Sequence, residues 1–514
     1  VPSPVLHSGT GGGGNGVDHP GLGGFLAEAA ALLGAANCAT GGEIRAEYGA
    51  HSLPVPDRVP GAVLFPGSTA EVQGVVRAAN RHGVALFPVS TGWNLGLGTR
   101  APMAAGQVVL DLSRRMDRIL ELDEELGYCV VEPGVTFEAM HAELVRRGSR
   151  LTISPTAGPP LGGLLGNALD KGGGSGPLGS HFDNVCGMEV VLGTGEVIRT
   201  GDGGLDAPAH PNWHLTKYSF GPALDGLFTQ SNYGIVTRIG MWLGQRPPML
   251  RCFFFAFDDE EDLPRIVEAI RPLKASGVVA TMIRATSELY LVASQEPAPD
   301  RGALSDAARR ALRAKYGIGA WTVSGAVYGG SDAALEAAMA RVRAAFAGGR
   351  EIPQEQAEGM PILRAAIESN SGRPAGGELQ MLRWRPGGGA IWFTPGMPMR
   401  GAEAEATSRA CRAVAAEHCL DYMASFVCGP RFARGVHAIL YDRTDRDAWA
   451  RADACYRGMS EVFRARGIFV GRAPTAYQGW HHAQRDPALV GALAAIKRAL
   501  DPNGVIAPGR YGIE

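Results

Sequence analysis

Short apolar runs alternate with amphipathic stretches along the first 250 residues. Ala62 to Phe65 is an apolar run of strand length. Ser68-Thr-Ala-Glu71 follows, with a capping hydroxyl three residues before a glutamate, which predicts a helix start. Val72, Val75, Val76 and Ala79 recur at helical spacing, and Gly83 marks the stop. Val84 to Val89 predicts a second strand and Val108 to Leu112 a third. A second unit reads as a strand at Tyr128–Glu132, a Pro-Gly turn at 133–134 and a helix from Phe137 to Arg147. The stretch from Ser154 to His181 is too rich in Gly and Pro to be regular. A hairpin, Met188–Leu192 with Glu196–Arg199, comes directly after it, and a further strand is expected at Gly234–Ile239. Long irregular stretches are usually functional or disordered, and order on both sides favours a loop that holds a ligand. Beyond residue 245, amphipathic helices such as Asp332–Ala347 and Ala404–His418 alternate with strands such as Ile391–Phe393 and Val436–Tyr441, which predicts an α+β layer.

A chain of 514 residues has room for two large domains or three smaller ones. Its 49 Lys and Arg nearly balance its 51 Asp and Glu, for a formal charge of −2. That excludes a general polyanion binder, so no nucleic-acid partner is expected. No window approaches the ~18 apolar residues of a membrane helix, so no membrane partner is expected either. Residues 1–22 lack the charged and apolar regions of a signal peptide and are expected to form a flexible arm. The eight cysteines form no C-x-x-C pair and most sit in apolar runs. Buried free thiols in a reducing, cytoplasmic setting are the expectation. His481 and His482 are adjacent, point to different sides and have no third ligand at suitable spacing, so no metal site is expected.

The first chemical clue is the turn Ser90-Thr-Gly-Trp-Asn-Leu-Gly-Leu-Gly98. It lies between strands and lacks Gly-Lys-Ser/Thr, so it is neither a Rossmann fingerprint nor a P-loop. Successive free amides in such a turn can wrap a pyrophosphate, although a plain glycine loop has the same composition.

Several pieces in order resemble the vanillyl-alcohol oxidase and p-cresol methylhydroxylase flavoproteins, most closely the eugenol oxidase type. They are Pro88-Val-Ser-Thr-Gly92, Glu132-Pro-Gly-Val-Thr136, Gly166-Asn-x-Leu-Asp170 and Gly187-Met-Glu-Val-Val-Leu192. Phe228-Thr-Gln-Ser-Asn-Tyr-Gly-Ile-Val-Thr237 and Ala499-Leu-Asp-Pro-Asn-Gly-Val-Ile-Ala-Pro-Gly509 complete the set, which runs from about residue 60 to the end. The resemblance implies an α+β fold with a p-cresol methylhydroxylase-type FAD-binding domain at 23–245, a cap or substrate domain at 246–465, and a segment at 466–514 that returns to the FAD domain. It implies FAD, with Val89, Ser90, Thr91, Gly92, Trp93 and Asn94 around the pyrophosphate. Gly166, Asn167, Asp170, Gly179 and His181 are expected beside the flavin, Ile235 and Val236 at the adenine end, and Arg510 at the pyrimidine edge, where a cation stabilises negative charge on the reduced ring.

The catalytic positions depart from the phenol-oxidising pattern. The family's flavin-linking histidine follows Pro-x-Gly-Gly, and here Pro386-Gly-Gly-Gly-Ala390 puts an alanine there. Alanine has no nucleophile, so FAD is expected to be non-covalent. The phenolate-clamping tyrosines fall at Leu97 and Gly471, a further tyrosine at Ser175, and the active-site aspartate at or near Gly158. Of the clamp only Arg472 remains, and neither Gly471 nor Leu97 can pair its charge. It is therefore expected to hold an anionic or polar group of the substrate. Trp392, two residues after Ala390 on one strand, should share its face. Ala390, Trp392, Leu97, Val427, Gly471 and Ser175 are the expected pocket. The resulting expectation is an FAD-dependent oxidoreductase of secondary metabolism that takes hydride from a small-molecule substrate other than a simple 4-alkylphenol. Oxygen or another acceptor takes the electrons, and a homodimer is the default assembly. The alternatives are a redox-neutral cyclase or isomerase on the same fold, or a flavin-binding relic without activity.

Overall fold

The computed structural model describes residues 19–514. The expected arm, 1–22, lies mostly outside these residues, and its last member, Leu22, already opens the helix Leu22–Leu33. The Ser68 hydroxyl accepts from the Glu71 amide at 3.1 Å and starts the helix Thr69–His82, as the capping pattern predicts. The Glu71 carboxylate returns one residue further back than the pattern requires, to the Gly67 amide at 2.7 Å, and also holds Arg115. Gly83 closes the helix in the left-handed region at φ 66°, which a side chain would strain. The apolar stripe Val72, Val75, Val76 and Ala79 is fully buried.

That stripe packs on a four-stranded sheet in the order Cys38–Ala39, Ala62–Leu64, Val108–Asp111, Leu86–Val89. The last three strands run parallel. A second, antiparallel sheet runs Ile119–Asp123, Tyr128–Val131, Gly234–Trp242, Val185–Leu192, Val197–Arg199. The end of the chain returns to the first sheet. Leu86 donates to the Val505 carbonyl at 2.8 Å and accepts from Ala507 at 2.7 Å. Lys497, 1% exposed, anchors this return. Its ammonium donates to the carbonyls of Asn232 and Ile506 and to Asp501, so its buried charge is fully partnered.

The third sheet has eight strands, in the order Arg350–Glu351, Met249–Phe257, Trp321–Gly329, Ile283–Ser287, Ala424–Cys428, Phe432–Tyr441, Gly389–Pro398, Val470–Arg472. It is the α+β layer expected for the cap. The strand Val470–Arg472 still pairs with it, Thr394 opposite Arg472, so the chain leaves this sheet only after Arg472. The stretch 154–181 is not wholly irregular, because a helix forms at Leu164–Leu169. Glycine permits it by allowing close approach: a Cβ on Gly166 would lie 2.0 Å from the Ser90 hydroxyl. All eight cysteines are free, and among the described residues no helix is long and apolar enough to cross a membrane.

Three fully or nearly fully buried imidazoles add a pH dependence. His437 is ringed by Phe393, Phe426, Phe463 and Tyr422, with no hydrogen-bond partner on either nitrogen. Burial pushes it down to about 3, His51 to about 3 and His181 to about 4. The unfolded chain takes up these protons near pH 6.5 and the folded chain refuses them, so the stability they support is complete above that pH and is lost as pH falls to about 4 for His181 and about 3 for His51 and His437. Urea unfolding should show stability falling by roughly 1.4 kcal/mol per pH unit for each histidine below about pH 6.5. His437→Leu should flatten that slope by one such increment, and an unchanged slope would remove His437 from the account.

Candidate active site

Two contiguous cavities lie where the glycine-rich segments meet the eight-stranded sheet. The first, about 190 Å³, is lined by Val89, Ser90, Thr91, Gly92, Trp93 and Asn94, by Gly166, Asn167 and Asp170, by Ile235 and Val236, and by Arg472, Arg510 and Tyr511. It thus assembles most of the residues read as cofactor-binding. After the strand Leu86–Val89 ends, the amides of Ser90, Thr91, Gly92 and Trp93 find no acceptor among the described residues. Gly92 bends the turn at φ 70°. Four successive unpaired amides form a concave donor surface for an anion such as a pyrophosphate. These residues fit FAD. Arg510 lies over the rings of Phe87 and Tyr511, 5.4 and 4.8 Å from their centroids, so its cation is held in place in the cavity wall.

The second cavity, about 430 Å³, shares Trp93, Asn94, Gly162, Asn167 and Arg472 with the first. Leu97, Trp392 and Val427 line it as expected, with Leu382 and Met282. Gly179 lines this cavity and not the first. His181 lines neither. It sits behind the wall, its Nδ1 2.6 Å from the Asn167 side-chain amide and its Nε2 2.7 Å from the Ser154 carbonyl. Both partners are oxygens, Asn167 Oδ1 and the Ser154 carbonyl, and a neutral imidazole donates to one of them at a time. His181 therefore orients a cavity residue without touching the cavity itself.

Three expected pocket residues lie elsewhere. Ala390 is fully buried, because the segment around Ser52 runs across its strand and binds both its amide and its carbonyl. Ser175 turns away and accepts from the Ser369 hydroxyl at 3.0 Å. Gly471 lines neither cavity, and its carbonyl accepts from Gln230, a side chain of the first cavity's wall. Arg472 stands at the junction of the cavities, but its guanidinium is not free. Nε and Nη2 donate to Asp170 Oδ2 at 2.9 and 2.6 Å, and Asp170 Oδ1 accepts from the Tyr511 hydroxyl at 3.1 Å. The premise of an unpartnered arginine fails because its partner is 302 residues away in sequence.

Four chemically active residues escaped sequence reasoning. Glu378 and Arg284 line the second cavity 3.5 Å apart, and Glu378 accepts from the Tyr290 hydroxyl at 2.8 Å. Arg434 shares that wall. Tyr511 lines the first cavity. The one available signal was period-two alternation at Phe432, Arg434 and Val436, which puts all three on one face of their strand.

An FAD-binding cradle joined to a substrate-sized chamber defines a flavin-dependent oxidoreductase. The profile of the FAD binding domain matches residues 60–201, and that of the C-terminal domain of FAD linked oxidases matches residues 252–511. The chain is 36% identical over 494 residues to the 4-cresol dehydrogenase [hydroxylating] flavoprotein subunit of Pseudomonas putida, covering 94% of each. It is 34% identical over 522 residues to the 1'-carboxy-chondrochloren decarboxylase of Chondromyces crocatus, covering 93% of this chain and 95% of that one. Among solved structures, p-cresol methylhydroxylase with substrate bound superposes at a TM-score of 0.93 with 35% identity, over 97% of this chain and 98% of that one. The 4-ethylphenol oxidase of Gulosibacter chungangensis superposes at 0.92 with 31% identity over the same shares. The chain belongs to the FAD-linked oxidases of the vanillyl-alcohol oxidase and p-cresol methylhydroxylase family.

Two predictions follow from this geometry. Among the described residues no Cys or His lines either cavity, and burial pushes the Tyr511 phenol up to about 12, which keeps it a poor nucleophile. Acid precipitation of the holoprotein should release all flavin to the supernatant, and flavin left on the pellet would reveal an attachment point. Asp170→Ala and Arg472→Ala should each lower stability by about 3–5 kcal/mol, because each strands a part-buried charge. The double variant should lose much less than the sum of the two. Strict additivity in a double-mutant cycle would deny the coupling.

Proposed function

We propose that this oxidoreductase removes hydride from a C–H bond next to a hydroxyl, amine or conjugated system in a substrate larger than a 4-alkylphenol. The observation that carries this is the second cavity. It opens directly onto the FAD cradle, Leu97, Leu382, Trp392 and Val427 give it an apolar stretch of wall, and among the described residues no tyrosine lines it. Bound FAD supplies the hydride acceptor. The chain's own residues supply the rest. Leu97, Leu382, Trp392 and Val427 exclude water and hold the apolar body. Arg472, with Nε and Nη2 committed to Asp170, offers Nη1 to a polar group of the substrate. Glu378 is the wall carboxylate able to take a proton from a substrate hydroxyl or amine as the C–H bond breaks, with Tyr290 and Arg284 fixing its position. Oxygen or another acceptor then takes the electrons.

A second reading, loss of carbon dioxide from a carboxylated substrate, draws support from the similarity to a protein named as a decarboxylase.

Anaerobic mixing of the FAD-loaded protein with candidate substrates tests the first reading. Loss of oxidised-flavin absorbance is the expected result for bulky apolar substrates. Vanillyl alcohol and eugenol should be turned over poorly, since each missing tyrosine hydroxyl removes ~2.7–4 kcal/mol of stabilisation from a developing phenolate. Turnover of either at about 10 per second, the rate of a median enzyme, would sink the exclusion of simple phenols. Product formed with no loss of absorbance would favour redox-neutral chemistry.

A further inference from the structure

We propose that Arg434 binds a carboxylate, so that the natural substrates are monoanionic carboxylic acids with an apolar body. This rests on the reading above, that the larger cavity receives the substrate.

The position of Arg434 is set by the sheet. It lies on Phe432–Tyr441, opposite Val427 on one neighbouring strand and Gly396 on the other. Val427 in turn lies opposite Arg284. Residues directly opposite across a ladder share a face, so one row reads Arg284, Val427, Arg434, Gly396, and the first three line the cavity. Gly396 has no side chain to cover the guanidinium. Leu97 and Trp392 supply apolar wall elsewhere in the same chamber.

The charges of the chamber then nearly cancel. Arg472 pairs with Asp170 at 2.6 Å and Arg284 with Glu378 at 3.5 Å. Arg431 and Asp183 are both exposed at the rim. Arg434 is left over. Among the described residues it has no carboxylate within 4.0 Å, and its one hydrogen bond is a long one, Nη1 to the Lys171 carbonyl at 3.4 Å. Burial first and then the like charge of Arg472 weigh against its charged form, and the more distant Asp170 carboxylate offsets them only in part. A structural arginine in this fold looks different. Arg385, 5% exposed, donates to the Asp421 carboxylate and to the carbonyls of Asp300 and Gly302. A part-buried guanidinium without such partners stabilises an incoming anion instead. One uncompensated charge matches a monoanion, and the planar donor fork matches a carboxylate.

The test is binding, which needs no turnover. A panel of aryl and alkyl carboxylic acids of six to eighteen carbons, each with its primary amide, is titrated into FAD-loaded protein and followed by calorimetry and by flavin absorbance. At least one acid should bind ten times more tightly than its amide, and added salt should weaken that preference. Arg434→Ala should abolish the preference while retaining FAD, and Arg434→Lys should keep part of it. If no acid outbinds its amide, or if the preference survives in a folded, FAD-loaded Arg434→Ala, the assignment is overturned. Should Arg434→Ala fail to fold, Arg434→Gln and Arg434→Lys decide it, since equal preference in these two would exclude a charge effect. Tight acid binding without flavin reduction would leave the carboxylate site standing and refute the hydride-transfer reading.

Discussion

The active site depends on one carboxylate. Asp170 ends the short glycine-bearing helix Leu164–Leu169, and its two oxygens accept from Arg472 and from Tyr511. Those partners arrive from the edge strand of the cap sheet and from the last turn of the chain. Three segments far apart in sequence are thus tied at the boundary between the cofactor cavity and the substrate chamber. The helix itself can form there only because Gly166 lets its backbone press against Ser90. The unpaired amides from Ser90 to Trp93 and the Asp170 link are therefore parts of one packing arrangement.

The substrate chamber shows the same economy of charge. Buried ions are tolerated when paired, and two of its three inner arginines are paired within the wall. Arg472 differs from the arginine expected from sequence. Its carboxylate partner orients it and lowers its net pull on a substrate anion. Arg434, among the described residues, has no such partner and carries the chamber's uncompensated charge.

Much of the frame was legible in the sequence. The strand–helix–strand opening, the Ser68 cap, the Gly83 stop and the glycine turn all depend on local conformation and a one-dimensional apolar period, so a residue and its near neighbours suffice to read them. The glycine turn's free amides were legible for the same reason, but a plain loop has the same composition, and the reading of the turn as an FAD cradle rested on the family resemblance. The absence of tyrosine at Leu97 and Gly471 was also a matter of residue identity.

Tertiary structure alone decided what each side chain meets. Strand alternation put Ala390 and Trp392 on one face, but the segment around Ser52 crosses the sheet and leaves only Trp392 in the chamber. Ser175 turned to a helix nearly two hundred residues later. Arg472 found Asp170, Glu378 found Tyr290, and Arg434 found no carboxylate, and none of these outcomes follows from spacing along the chain. Backbone conformation is a local property and was written in the sequence. Charge pairing is a property of distance in space, and the fold alone sets which charges are neutralised and which one remains.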